Sequence, residues 1–213
     1  MDAFADGEIV ELPGGDVRVV STARGRRGSP GPELLLRRLV AAGAGVPADD
    51  VELVPSCQTC GARHGRPTVG YPTTPSGAPW FVDAGAAGDL VVATAATRRR
   101  VGVGLELVSG GALEGVDEAA LHASERAALA VLDPPERARA RATLWARKSA
   151  LLRAIGHTGF TEPATLALTL PGEDDGIGRI ERTVPEFGPG WRGVRFHDLA
   201  VPGAAVASVA VLP

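Results

Sequence analysis

Three potential metal ligands lie close together in the first third of the chain. Cys57, Cys60 and His64 fall within eight residues, and cysteine thiolates and histidine nitrogens are the usual ligands of structural zinc. Such a site needs four ligands, but the sequence holds no second CxxC pair and no closely paired histidines. Two interpretations stay open: a zinc site, or a turn with two reduced or loosely paired cysteines, which the missing fourth ligand favours.

The residues that follow this cluster could bind an anion. Arg66 lies between Gly65 and Pro67. Because glycine is conformationally permissive and proline has a fixed φ, the backbone here could present the guanidinium of Arg66 to a phosphate. An ordinary exposed loop arginine would look the same in sequence, so this short motif alone does not decide between the two.

A second candidate for anion binding lies on a predicted helix. Trp145, Ser149 and Arg153 are spaced by four residues, which places them on one helix face, with Lys148 beside it. A tryptophan with cationic neighbours could bind a polyphosphate. The alternative is a half-buried helix with a solvated basic edge.

A carboxylate interrupts an otherwise apolar run. Glu106 is the single charged residue in the β-prone segment 101–108. Because an unpaired carboxylate is costly to bury, we expect it to face a cleft, a cation or the edge of a sheet. An outward-facing strand residue is the alternative.

Helices and strands must position these residues. Helices are predicted at Glu33–Ala42, Glu118–Leu132 and Pro134–Ile155. Gly43 is expected to end the first and Gly156 the third, and Asp133 and Glu136 are expected to form a capping box for the third. Residues 70–79 and 109–115 are predicted loops. Strands are predicted at Glu8–Leu12, Val17–Ser21, Val51–Val54, Leu90–Ala95, Val101–Val108, Ala164–Leu170, Gly178–Thr183, Gly193–Phe196 and Ala204–Leu212.

The order of these elements predicts an α+β fold. Strands, a helix and more strands precede further helices and a final set of strands, which indicates two related halves. We expect an N-terminal half at residues 1–100 and a C-terminal half at 101–213, joined in one compact pseudo-dimeric unit. Because one chain completes such a unit, a monomer is expected.

Composition limits the functional classes. The 213 residues are 45% hydrophobic and 22% charged, which is enough apolar material for a core. The net charge of -3 argues against nucleic acid as a partner. The sequence holds neither a signal peptide nor a run of about 18 apolar residues, so no membrane association is expected and the cytoplasm is the expected location.

Taken together, the segments resemble the 4′-phosphopantetheinyl transferase superfamily of the monomeric Sfp type. In chain order, CQTCGARHGRP is similar to CxxCGxxHGKP, and WFVDAGAAG stands in the place of an FNxSHS segment. VGVGLELV, LHASERAAL and LWARKSALLRAIGHTGF are similar to VGxDxE, FxxxExxxL and WxxKExxxKxxGxG. Each motif is weak alone, and their order along most of the chain is more specific.

This resemblance implies a fold and a reaction. The fold would be two similar α+β halves related by a pseudo-twofold axis, with coenzyme A between them. In such enzymes a serine of an acyl or peptidyl carrier protein attacks the β-phosphate of coenzyme A and receives the phosphopantetheine arm. Mg²⁺ bridges the pyrophosphate to carboxylates, the charge-neutralising role that phosphoryl transfer requires.

Carried over residue by residue, the resemblance implies a damaged metal site. Glu106 matches the glutamate of VGxDxE, but Gly104 stands at its aspartate. Lys148 is retained from WxxKE, but Ser149 replaces the glutamate that serves as metal ligand and proposed base. We therefore expect Glu106 to bind Mg²⁺ weakly at most, and losing a general base commonly costs about 10²–10⁴-fold in rate.

The implied coenzyme A contacts are better preserved. Arg66 matches a lysine that contacts the 3′-phosphate, and Arg153 matches a later lysine; His64 and Lys148 complete the expected coenzyme A ligands. Asp83 stands at the asparagine of FNxSHS, and Ala86 replaces its histidine. Glu106, Lys148 and Asp83 are the candidate catalytic residues.

Three hypotheses follow. The first, which the sequence favours, is a superfamily member that has lost ordinary transfer and binds, or acts on, coenzyme A, phosphopantetheine or a carrier-linked group. The second is a divergent but active transferase in which Glu106 holds Mg²⁺ and the base is replaced by another carboxylate, such as Asp83 or Glu125, or by the carrier protein itself. The third is a new small-molecule enzyme that uses the cleft between the halves, with Asp83 or Glu106 as a lone acid or base.

Overall fold

The structure is a computed structural model, and it describes residues 7–23, 31–55, 66–108, 114–156, 162–173, 176–183 and 189–213. Cys57, Cys60 and His64 lie outside these ranges. The zinc site and the coenzyme A contact of His64 therefore stay predictions, as does the part of the predicted 109–115 loop at residues 109–113. Its last two residues are not a loop, because a helix begins at Glu114.

The described residues form twelve strands and four α-helices. The strands are β1 (Ile9–Glu11), β2 (Val17–Ala23), β3 (Glu52–Pro55), β4 (Pro67–Tyr71), β5 (Phe81–Ala87), β6 (Leu90–Ala96), β7 (Val101–Leu107), β8 (Ala167–Leu168), β9 (Ile177–Gly178), β10 (Ile180–Arg182), β11 (Arg195–Leu199) and β12 (Ala205–Val211). The helices are α1 (Pro32–Ala44), α2 (Glu114–Ala120), α3 (Ala123–Ala130) and α4 (Pro134–Ile155). Short 3₁₀ turns lie at Ala48–Asp50, Pro163–Thr165 and Pro189–Gly193.

Two four-stranded antiparallel sheets organise these elements. The first has the strand order β1-β2-β6-β5 and the second β7-β12-β11-β9, while β3–β4 and β8–β10 form two small ladders. The pairing follows the same pattern in both sheets. In the first, β6 lies between β2 and β5; in the second, β12 lies between β7 and β11. The predicted α+β class is confirmed.

The two sheets pack face to face between the two longest helices. Val19 and Val92 of the first sheet share one core with Val103 and Val209 of the second. The opposite face of the first sheet packs on α1 and that of the second on α4. Because both faces of each sheet are covered, the central strands read as continuous apolar runs in the sequence.

Most predicted strands are confirmed within two or three residues, but β4 and β5 were missed. The strand β4 extends into the predicted loop at residues 70–79. The sequence of β5, FVDAGAA, is poor in β-formers. Its backbone is extended because all seven residues pair with β6, a long-range contact that local propensity does not encode.

The helix boundaries differ from the predictions at three places. The helix predicted at Glu118–Leu132 is two helices, because His122 caps α3 in a capping box with Glu125. The capping box predicted at Asp133 does not form. Gly43 does not end α1; it lies inside the helix against Trp80, and Gly45, with a φ of 73°, ends it. Among the described residues, no helix is both long and apolar enough to cross a membrane.

The helix α4 lies unusually close to β7. A Cβ atom on Gly104 would collide with the carbonyl oxygen of Ala146, and one on Gly102 with that of Ala150. Only residues without a side chain allow two backbones to approach in this way. These two glycines therefore set the distance between the helix and the second sheet.

We expect Gly104→Ala to lower the free energy of unfolding by about 3 kcal/mol, because rotating a side chain cannot relieve a clash with backbone. Gly85→Ala is a matched control on β5, where the new Cβ would lie 2.7 Å from the flexible tip of Leu105. Its loss should be clearly smaller. Urea unfolding of both variants measures the difference, and equal losses would contradict the assigned role of Gly104.

Candidate functional site

The side chain of Arg66 joins the two halves of the chain. Its Nε donates to the carbonyl of Val82, Nη2 to that of Val101 at 2.7 Å and Nη1 to that of Arg153 at 2.9 Å. These acceptors belong to β5, β7 and α4. Three backbone carbonyls thus hold the guanidinium in one orientation.

The carboxylate of Asp83 forms the other part of this junction and is fully buried. Arg153 donates to it from Nε at 2.7 Å and from Nη2 at 2.5 Å, and Nη2 also donates to the carbonyl of Ala84. The backbone N–H of Val103 donates to the same carboxylate at 2.8 Å. Both oxygens of Asp83 are therefore engaged in structural contacts, so they are not available to act as a base.

This junction also completes the outer edge of β7. The strand lies at the end of its sheet, so some of its backbone groups lack a neighbouring strand. Arg66 binds the carbonyl of Val101 and Asp83 binds the N–H of Val103. Side chains of the first half thereby satisfy backbone groups of the second.

A cavity of about 300 Å³ opens beside the junction, and we call it the cleft. Arg66 and Arg100 line it together with Thr68, Trp80 and Gly156, the residue that ends α4. The Nε1 atom of Trp80 is buried and has no hydrogen-bond partner within the described part of the chain. The cleft thus contains two cationic groups and an aromatic wall.

Positive charge predominates around the cleft. The guanidiniums of Arg66, Arg100 and Arg153 lie in or next to it, and Asp83 pairs with Arg153. Burial lowers the pKa of Arg66, and the negative charge of Asp83 partly opposes this change. The positive charges of Arg153 and Arg100 lower the pKa of Arg66 further. The hydrogen bond that Arg153 donates to Asp83 raises the pKa of Arg153 despite its burial. Three cations near one carboxylate favour an anionic ligand.

A larger cavity, of about 450 Å³, lies beside the first half of α4. Glu136, Arg139 and Asp198 line it, and the buried Arg147 holds Asp198 through Nε and Nη2. Acidic and basic groups are balanced there, and none of the predicted site residues lines it. We therefore place the candidate site at the smaller cavity, where charge and fixed donors coincide.

Lys148 lies away from the cleft and is buried, with 1% of its side chain exposed. Its Nζ donates to Glu125 at 2.6 Å and lies within 2.9 Å of the carbonyl oxygens of Ala120, Pro163 and Leu166. Burial lowers its pKa, and Glu125 counteracts that effect. An ammonium has three N–H groups, so these acceptors leave none for a phosphate in this conformation.

The residues around Glu106 do not fit the Mg²⁺ site that the resemblance implies. The aspartate position is Gly104, where the backbone of α4 occupies the space that a side chain would need. Ser149 supplies no carboxylate. Among the described residues, no group of three or more His, Cys, Asp or Glu side chains could hold a metal ion. Burial raises the pKa of Glu106, which disfavours its charged, metal-binding form.

The structure brings together only part of the predicted site. Arg66, Asp83 and Arg153 converge at the junction. Glu106 lies three residues along β7 from Val103 and five from Val101, about 10 and 17 Å at the rise of a strand. Lys148 belongs to a separate buried network. Two residues that line the cleft, Trp80 and Arg100, were not predicted as site residues. The signal for Arg100 was the arginine run at 98–100.

Comparison with protein-family models finds no match to this sequence, and comparison with curated proteins finds none either. The resemblance to the phosphopantetheinyl transferases therefore rests on the order of its motifs, and membership of that superfamily is a proposal.

Replacing Lys148 should reveal a structural role. Lys148→Met leaves the buried carboxylate of Glu125 without its cation, so we expect the free energy of unfolding to fall by about 3–5 kcal/mol. The double variant Lys148→Met/Glu125→Gln should recover part of this loss, because the amide oxygen can still accept the N–H of Leu168. Urea denaturation followed by circular dichroism measures both. If Lys148→Met retained full stability, the structural assignment would be wrong.

Proposed function

We propose that this chain is a non-catalytic relative of the phosphopantetheinyl transferases. It binds coenzyme A, or a compound that carries phosphopantetheine, in the cleft between its halves and does not perform Mg²⁺-dependent transfer. An acyl or peptidyl carrier protein that bears this group is the proposed macromolecular partner.

The observation that carries this proposal is the fixed guanidinium of Arg66. Each of its three nitrogens donates one N–H to a backbone carbonyl, those of Val82, Arg153 and Val101. A guanidinium has five N–H groups, so each terminal nitrogen keeps one for a ligand. Since Arg66 lines the cleft beside Arg100, a phosphate there would meet a preorganised donor and a second positive charge.

Three further observations support the loss of ordinary transfer. The backbone of α4 fills the space at Gly104 where the metal-binding aspartate would stand. Asp83 is buried and bound on both oxygens, so it does not replace the missing base. Glu125, the other candidate replacement, is buried against Lys148. Without the metal charge and the base, the transition state of phosphoryl transfer lacks its main sources of stabilisation.

The arrangement of strands is consistent with the proposed two-half architecture. All strands of the first sheet precede residue 97, and all strands of the second follow residue 100. Each set contains a strand, a long helix, a small ladder and two final strands, and the last strand lies in the same relative position in both sheets. A pseudo-twofold relation between residues 1–100 and 101–213 is part of the proposal.

Calorimetric titration with coenzyme A tests the binding site. Arg100→Ala should weaken binding by about ten- to a hundredfold, because a hydrogen bond to a charged group is worth about 1.5–3 kcal/mol. Arg98→Ala is the matched control: it removes an equally charged, exposed side chain that does not line the cleft. Its affinity should equal that of the unmodified chain. No measurable binding to the unmodified chain, or equal losses in both variants, would contradict the site.

An intact-mass assay tests the absence of transfer. Apo carrier proteins are incubated with the chain, coenzyme A and Mg²⁺, and an active phosphopantetheinyl transferase serves as the positive control on the same carriers. We expect the carrier mass to stay unchanged, with or without Mg²⁺, because the metal ligands and the base are missing. Conversion to the holo form at the rate of the control would refute the non-catalytic assignment and favour a divergent active transferase.

A further inference from the structure

A second charged cluster lies in the second half of the chain. Nε of Arg141, on α4, donates to both carboxylate oxygens of Asp117, on α2, at 2.6 and 2.8 Å. Trp145, one turn farther along α4, places its Nε1 3.4 Å from the same carboxylate. The side chains of Arg141 and Asp117 are only 12% and 20% exposed. Solvent and salt therefore screen this pair less than an ordinary surface pair.

Glu106 belongs to the same cluster by its position on β7. Side chains of alternate residues share one face of a strand, and the Cα atoms of Gly102 and Gly104 face the backbone of α4. Glu106 is next on that face. Its cross-strand partner Val206 packs with Ala142, the residue after Arg141. The charge of Arg141 opposes the rise that burial causes in the pKa of Glu106, as expected for neighbours.

We propose that Arg141 replaces a divalent cation in this chain, its guanidinium lying between Asp117 and Glu106 and supplying their positive charge. A third carboxylate at residue 104 is excluded by the backbone of α4. The arginine is fixed to the helix and its charge does not depend on metal supply. The chain is therefore independent of Mg²⁺, and Arg141 prevents metal binding at Glu106.

This inference rests on the proposed relationship to the phosphopantetheinyl transferases, but it does not depend on the ligand proposed for the cleft. Twelve helical residues separate Arg141 from Arg153, which corresponds to about 18 Å along α4. A chain that failed to bind coenzyme A could still use Arg141 as its internal cation. Conversely, coenzyme A could bind even if this inference were wrong.

Terbium luminescence tests the proposal directly. Tb³⁺ prefers oxygen ligands, as Ca²⁺ does, and a nearby tryptophan sensitises its emission. Arg141→Gln frees two carboxylates beside Trp145, so tryptophan-excited Tb³⁺ emission should rise at least fivefold over the unmodified chain. Adding Glu106→Gln, or Trp145→Phe, to Arg141→Gln should remove that increase. Emission from the unmodified chain that Glu106→Gln abolishes would overturn the proposal, as would a folded Arg141→Gln variant without the increase.

A thermal-stability cycle keeps the proposal testable if Arg141→Gln folds poorly. Because Arg141 compensates the charge of Glu106, Arg141→Gln should lower the Tm less in a Glu106→Gln background than in the unmodified chain. Mg²⁺ or EDTA should leave the Tm of the unmodified chain unchanged. Equal Tm losses in the two backgrounds, or an Mg²⁺-dependent Tm that Glu106→Gln removes, would overturn the proposal.

Discussion

The backbone of α4 lies against the backbone of β7 across two glycines, and the position of the second half depends on this contact. Gly102 and Gly104 allow an approach that any larger residue would prevent. The same contact buries the alanine-rich face of the helix, including Ala146 and Ala150. The contact that tightens the core thus also fills the space that a side chain at residue 104 would need, so close packing and the proposed loss of metal binding would have one physical cause.

The edge of β7 that does not pair with β12 shows how the two sheets are held together. Their sheets share an apolar core, but the polar edge of the strand needs donors and acceptors that an apolar core does not supply. Arg66 and Asp83 supply them, and Arg153 holds the carboxylate of Asp83 in place. Because carbonyl groups then hold Arg66 in place, the contacts that join the halves also prepare a cationic group for a ligand. Structural and proposed binding roles coincide in this residue.

The buried charges divide into two kinds. Lys148 and Arg147 lie within the second half and bind Glu125 and Asp198, so their charges are compensated inside the fold. Arg66 and Arg153 keep part of their surface exposed beside the cleft. Basic residues that look equivalent in the sequence therefore differ in availability. Lys148, the only lysine in the sequence, is less available than Arg66 and Arg153, the other predicted ligands that the structure describes.

By itself the sequence determined the α+β class, most strands and the extent of α4, because these follow from local periodicity and from glycine and proline at helix ends. It also predicted Arg66, Asp83 and Arg153 as site residues, and the structure places these three side chains together. Only the tertiary structure decided that β5 is a strand, that Arg153 binds both oxygens of the Asp83 carboxylate, and that Lys148 is buried. Each of these depends on partners distant in the chain, and local pattern carries no information about which distant groups will meet.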